Sequence, residues 1–204
     1  SNSGAGTYDK GADATVAYTL KDGYDLVRIT VDGEDKTNDA SALIFKEIAA
    51  NHKVVIVTRT DAFDVGDAHF ECLYSPNPEI TENVCNNSSL VLMMTLGGKK
   101  TLWLGDAGEE EGDRILALCG DPSALKADYV QMAHHGQCGV KKDFYEAVSP
   151  VGCFWNTPKW LWENDAGLGY NTHGWKTIEV QGWMAEIGAP EHYVMMNGDQ
   201  SVDL

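Results

Sequence analysis

Two apolar runs, SLVLMMTL (89–96) and KTLWLGD (100–106), stand on either side of Gly97–Gly98. Apolar runs of that length joined through a glycine pair are the two strands of a hairpin. Beyond the hairpin the chain alternates in type. EEEGDRILALCG places Ile115, Leu118 and Cys119 at i, i+3 and i+4, behind three glutamates and ahead of Gly120. Acid at the positive end of the dipole and glycine at the stop predict a helix. ADYVQMAHHG (127–136) reads as a strand running into a loop, KKDFYEAV (141–148) as a helix and VGCFWN (151–156) as a strand. A last helix runs from Trp175 to Gly188 with Val180, Trp183, Met184 and Ile187 on one face, and HYVMM and SVDL close the chain as short strands. A hairpin followed by alternating strands and helices specifies an α/β fold with a mixed sheet and flanking helices.

The first half is less regular. LVRITV (26–31) and VVIV (54–57) are strand-like, and AHFECLYSP (68–76) alternates and stops at Pro76. TNDASALIFKEIAAN (37–51) predicts a helix capped by Asn38 or Asp39, with Leu43, Ile44 and Ile48 as its apolar stripe. NPEITENVCNN (77–87) is a polar loop, and TPKWLWENDAGLGYNTHG an irregular aromatic excursion. The small polar opening, residues 1–7, reads as a linker or cloning scar, leaving 8–204 as a single domain.

The net charge of −16 and the lack of any Lys/Arg cluster argue against direct nucleic-acid binding through a basic face. No apolar run reaches the roughly 18 residues needed to cross a membrane. The five cysteines are widely spaced with no CxxC pair, which speaks against a disulfide framework or a thiolate zinc site. Cys138, three residues after a histidine, stands out from the rest.

Two loops carry candidate chemistry. GDAG (105–108) and HHG (134–136) each follow a strand. In layered α/β folds such loops gather at one rim of the sheet, where a carboxylate and neutral imidazoles suit a metal ion. Gly-Asp after a strand is also an ordinary turn or helix cap, and adjacent histidines also occur in plain polar loops.

The run NNSSLVLMMTLGGKKTLWLGDAGEEEGDRIL…LKADYVQMAHHG resembles the later part of metallo-β-lactamase-fold hydrolases, especially the branch of DNA-uptake competence proteins and phosphorylcholine esterase-like enzymes. The resemblance is carried by Asn86, Ser89, Gly105–Asp106 and His134–His135–Gly136, with the stretch from ASALIFKEIAA to FECLYSP upstream and His173 in a loop before a C-terminal helix. It covers roughly residues 40–204. It implies an αββα metallo-β-lactamase-like sandwich, incomplete in this chain. It also implies a metal-dependent hydrolase acting on phosphoesters through a dinuclear zinc or manganese site. In that likeness Asp106 is the bridging carboxylate and His135 a metal ligand. His134 and His173 are the catalytic candidates, His134 beside the metals and His173 as a substrate contact or acid. Asn86 and Ser89 fix the loop and the strand start.

One part of the likeness is missing. The family's His-x-His-x-Asp-His cluster does not occur here, and His52, His69 and His192 are isolated. The resemblance therefore implies the C-terminal portion of a larger hydrolase, inactive alone, with its first metal cluster and any signal peptide upstream; a cytoplasmic and a cell-surface location remain equally open. Two rivals stand beside it. One is a non-catalytic binding or scaffold module that kept the fold and lost the metals, with WLW (160–162) as a partner surface. The other is a thiol enzyme pairing Cys138 with His135. An incomplete sandwich also leaves an apolar sheet face that the segment 8–31 or a second copy can cover, which predicts a tendency to form a homodimer.

Overall fold

A computed structural model describes residues 2–4, 6–20, 24–37, 42–60, 62–74 and 80–203. It divides into two compact units, Ser1–Asp61 and Ala62–Leu204, and the expected domain 8–204 spans both.

The first unit is built of strands. β1 (Asn2–Ser3), β2 (Ala14–Tyr18) and β5 (Ala42–Phe45) form one three-stranded sheet, and β4 (Glu34–Asp35), β3 (Tyr24–Val31) and β6 (Val54–Thr60) another. The helix expected over 37–51 is not formed. Ala42–Phe45 pairs antiparallel with β2, Leu43 opposite Val16 and Ile44 opposite Thr15. Leu43 is buried while Ile44 is 63% exposed. The side chains alternate with period 2, so the two residues assigned to one helical stripe face opposite sides. Four apolar residues satisfied both periods, and cross-strand pairing decided between them. Asn38, Asp39 and Pro76 lie outside the described residues.

The second unit holds a seven-stranded mixed sheet. β7 (Phe63–Val65), β8 (Ala68–Tyr74), β9 (Val91–Leu96) and β10 (Lys99–Trp103) run as an antiparallel meander. The Gly97–Gly98 turn between β9 and β10 has φ of 57° and 82°, the left-handed values a two-residue hairpin needs. β11 (Tyr129–Gln131), β12 (Gly152–Trp155) and β13 (Glu191–Val194) then add in parallel beside β10. The crossovers are helical: α1 (Glu109–Cys119) before β11, α2 (Lys142–Val148) before β12, and α3 (Lys159–Trp162) and α4 (Thr177–Ile187) before β13. No described helix is long and apolar enough to cross a membrane.

One face of this sheet is dry. Leu102 and Leu104, Val130 and Met132, Cys153 and Trp155 share a buried cluster with Ile115 of α1, Phe144 and Val148 of α2 and Val180 and Met184 of α4. Full burial of each such side chain is worth roughly 1.5–3 kcal/mol, so the strand ends that carry the polar loops rest on a stiff base. The end of the chain departs from expectation. β13 stops at Val194, Met195–Asn197 form a 3-10 turn, and 201–203 make no strand. Gly198 follows the turn at φ 87°.

Candidate functional site

Parallel strands deliver their C-terminal loops to one edge, and β10 and β11 are parallel neighbours. Gln131, the last residue of β11, joins the two loops. Its Oε1 accepts from the amides of Leu104 (2.9 Å) and Gly105 (2.7 Å), and its Nε2 donates to the carbonyls of Gly105 (3.1 Å) and Met132 (2.7 Å). Four bonds from one buried amide satisfy all its polar capacity. Three of these bonds cross to the other loop, and the amide of His134, donating to the carbonyl of Gly105 at 3.0 Å, makes a fourth tie between the loops.

The HHG turn is left-handed for three residues in succession, with φ of 48° at His134, 60° at His135 and 76° at Gly136. Two non-glycine residues there cost roughly 1–2 kcal/mol each. The surroundings hold them in place. Thr157 Oγ donates to the His135 carbonyl at 2.6 Å, and Gly136 lies flat on Trp155, where a Cβ would stand 2.4 Å from the ring. The strained turn throws the two rings apart, their centroids 6.1 Å from one another.

Asp106 is placed from the other side. Its amide donates to Ser89 Oγ at 3.1 Å, and Ser89 Oγ donates in turn to the Asn86 carbonyl at 2.8 Å. Asn86 Nδ2 lies 3.3 and 3.5 Å from the two ring nitrogens of His134. Asn87 caps α1 through the amide of Glu111 at 3.1 Å. The NNSS turn thus touches both halves of the rim, which is the bracing role expected of Asn86 and Ser89.

The carboxylate and one imidazole converge. His135 Nε2 is 3.7 Å from Asp106 Oδ1, both side chains about half exposed. His135 Nδ1 lies 3.0 Å from the carbonyl oxygen of Asn156, which can only accept, so Nδ1 carries the proton. In the neutral ring the Nε2 lone pair then faces the carboxylate, the arrangement in which a second partner fixes the tautomer of a ligating histidine. Two acceptors in that relation can share a cation. His134 is turned away, toward Asn86 and, at 3.4 Å, the Cys138 carbonyl.

His173 is placed differently. Its ring stacks on Trp175 at 3.5 Å, and its backbone exchanges bonds with the buried Asn164. Among the described residues no hydrogen bond, ion pair or ring contact joins His173 to Asp106, His134 or His135. Its segment is tied toward the rim at Lys176, whose Nζ donates to Glu109 Oε1 at 3.0 Å, three residues past Asp106. That carboxylate holds the Lys176 ammonium above the usual lysine range. No such contact joins the Cys138 sulfur to His135 among the described residues.

The donor set is partial. Among the described residues no group of three or more His, Cys, Asp or Glu side chains could share a metal ion. A catalytic zinc takes about three protein ligands. Asp106 and His135 supply two, so the residues present fall short of a complete metal site and support no reaction step through a metal by themselves.

Sequence reasoning missed Gln131, Asn87, Asn156, Thr157 and Glu111. Gln131 had a signal, as the one polar residue inside the run YVQMA. Glu111 had another, lying four residues before Ile115 and so on the apolar side of α1.

Fold and rim together define an α/β protein with a mixed sheet and a carboxylate–imidazole pair where two parallel strands end. ComE operon protein 3 of Bacillus subtilis (strain 168) is 30% identical to this chain over 95 residues. The match spans 46% of this chain and 12% of that relative. No family model matches the chain.

Proposed function

We propose that this chain is the C-terminal portion of a metal-dependent hydrolase of metallo-β-lactamase-like αββα build. It acts on phosphoesters at a dinuclear site to which it contributes Asp106 and His135. The observation that carries the reading is the 3.7 Å approach of His135 Nε2 to Asp106 Oδ1, with the other ring nitrogen already engaged. The partial likeness to ComE operon protein 3 supports it. His134 stands beside the pair and His173 serves as the outer substrate contact. Zinc or manganese is the cation.

The test is a zinc titration of the chain followed through the His135 ring C–H and the Asp106 amide by NMR. Weak, saturable shifts centred on those two residues, lost in Asp106→Ala, are expected, with no hydrolysis of a phosphodiester by the chain alone. Shifts that spare both residues at millimolar zinc overturn the ligand assignment. Phosphodiester hydrolysis abolished by Asp106→Ala overturns the claim that the site is incomplete.

A second reading, a binding module without chemistry, is favoured by one observation. Trp160 of α3, and Leu168 and Tyr170 on the loop that carries His173, are 51%, 83% and 66% exposed. Exposed aromatics of that kind mark contact surfaces. Zinc shifts at His135 distinguish the readings.

A further inference from the structure

Glu111 is a buried acid in the second unit. It has no solvent exposure. Its Oε2 accepts one long bond, 3.3 Å, from the amide of Ser89, and its Oε1 has no partner. A first-turn glutamate ordinarily stays in water or returns to the amide of its own N-cap. Glu111 does neither, since its Oε2 bonds only Ser89 and its Oε1 has no partner. It is also wedged. A Cβ at Gly108 would stand 2.6 Å from Asn87 Oδ1, and one at Gly112 2.9 Å from Val140.

Among the described residues desolvation and the Ser89 bond, not an opposite charge, set the Glu111 carboxyl. Glu110 is turned to the amides of Thr81 and Glu82 and to Arg114. Asp113 pairs with Lys141. Asp121, in the 3-10 turn packed on α1, holds Ser123. On α2, Lys142 reaches Glu186, Asp143 accepts from the amide of Phe144, and the Tyr145 hydroxyl accepts from the amide of Ala133. Desolvation alone raises the Glu111 carboxyl to about 8, against the pull of the Ser89 bond.

What Glu111 does touch is the turn that sets the rim. Its carboxyl meets Ser89 N, Ser89 Oγ meets Asp106 N, and its own amide meets Asn87. We propose that Glu111 is the positioning residue for Asp106, a buried carboxyl that sets Ser89 and, through the Ser89 hydroxyl, the backbone of Asp106. The significance of this role rests on the reading of Asp106 as a site carboxylate, but the relay itself does not. Ionisation strands a charge with one bonded oxygen in an apolar site. The first turn of α1 must then open to admit water, and Ser89 and Asp106 move with it.

The experiment is amide NMR of the intact chain, without metal, from pH 5 to 9.5. The Ser89 and Asp106 amides shift together with a midpoint near 8 in the wild type. Both shifts vanish in Glu111→Gln, a variant of nearly the same shape. In Ser89→Ala the amide of residue 89 still titrates and that of Asp106 no longer follows. The imidazoles are tracked separately through their ring C–H signals. Flat Ser89 and Asp106 amides in the wild type, the same titration in Glu111→Gln, or an Asp106 amide that still follows in Ser89→Ala each overturns the proposal. Because no metal is present, its failure is distinct from failure of the zinc titration.

Discussion

His135 Nε2 faces Asp106 Oδ1 across 3.7 Å while His135 Nδ1 lies 3.0 Å from the Asn156 carbonyl. One ring nitrogen is committed to the scaffold and the other to the carboxylate. The two groups come from loops after neighbouring parallel strands, and Gln131 locks those loops together.

The pair adds little to the fold. Both side chains are about half exposed, and an ion pair so placed is worth about 1 kcal/mol or less. Asp106→Asn and His135→Ala are each expected to change unfolding stability in urea by no more than about that amount while removing the zinc-induced shifts. A loss of several kcal/mol in either variant would show that the pair is structural.

Gly136 behaves in the opposite way. It sits at φ 76° with no space for a Cβ, which would lie 2.4 and 2.5 Å from two carbons of the Trp155 ring. Trp155 is 1% exposed and packs at right angles against Trp162, so it has nowhere to go. Gly136→Ala is expected to cost about 2 kcal/mol or more in urea unfolding, through backbone strain and overpacking together. It should also displace the His135 ring signals. Near-wild-type stability would mean that the turn is loosely held.

Much of the second unit was legible in the residues because its signals were redundant. The Gly97–Gly98 hairpin had both the turn chemistry and two flanking apolar runs, and α1 had an acidic start, an apolar stripe and a glycine stop. Residues 42–45 had only a four-residue apolar run, which serves a strand as well as a helix, and pairing with Ala14–Tyr18 settled it. In the site, the placement of Asp106 and His135 followed from a general rule about strand ends. Which of three consecutive glutamates turns inward did not, since the local charge pattern treats Glu109, Glu110 and Glu111 alike. Only the spacing to Ile115 separates them, since Glu111 lies four residues before it on the apolar side of α1.

The buried glutamate has a signature in stability as well as in dynamics. Its folded-state carboxyl titrates near 8 against an ordinary value of 4.5. The folded chain therefore holds a proton that the unfolded chain releases between those values. The contribution is fully present below the unfolded value and is lost as pH rises through the folded one. Unfolding stability of the wild type, measured against Glu111→Gln, should fall from pH 5 to 8 by at most about 1.4 kcal/mol per pH unit, then level off. Parallel pH curves for the two proteins would place Glu111 in water rather than in the core.

His192 gives the complementary dependence on the acid side. Burial holds its imidazole below the usual histidine value, against a bond with the backbone of Ala189. Its Nδ1 accepts from the Trp155 indole N–H at 3.0 Å, which requires an unprotonated Nδ1. Here the folded value is the lower one, so the stabilisation is present above the unfolded value and is lost as pH falls through the folded one. Protonation removes the indole's acceptor and places a positive charge in a partly buried position beside Trp155, which supports Gly136. Between pH 7 and 5 the Trp155 indole N–H resonance is expected to move upfield in the wild type, with a parallel drop in the urea midpoint. His192→Gln keeps an acceptor without the titration, so its indole resonance should stay in place over the same range. Equal movement in both proteins would trace acid sensitivity to another group and free the HHG turn from any dependence on His192.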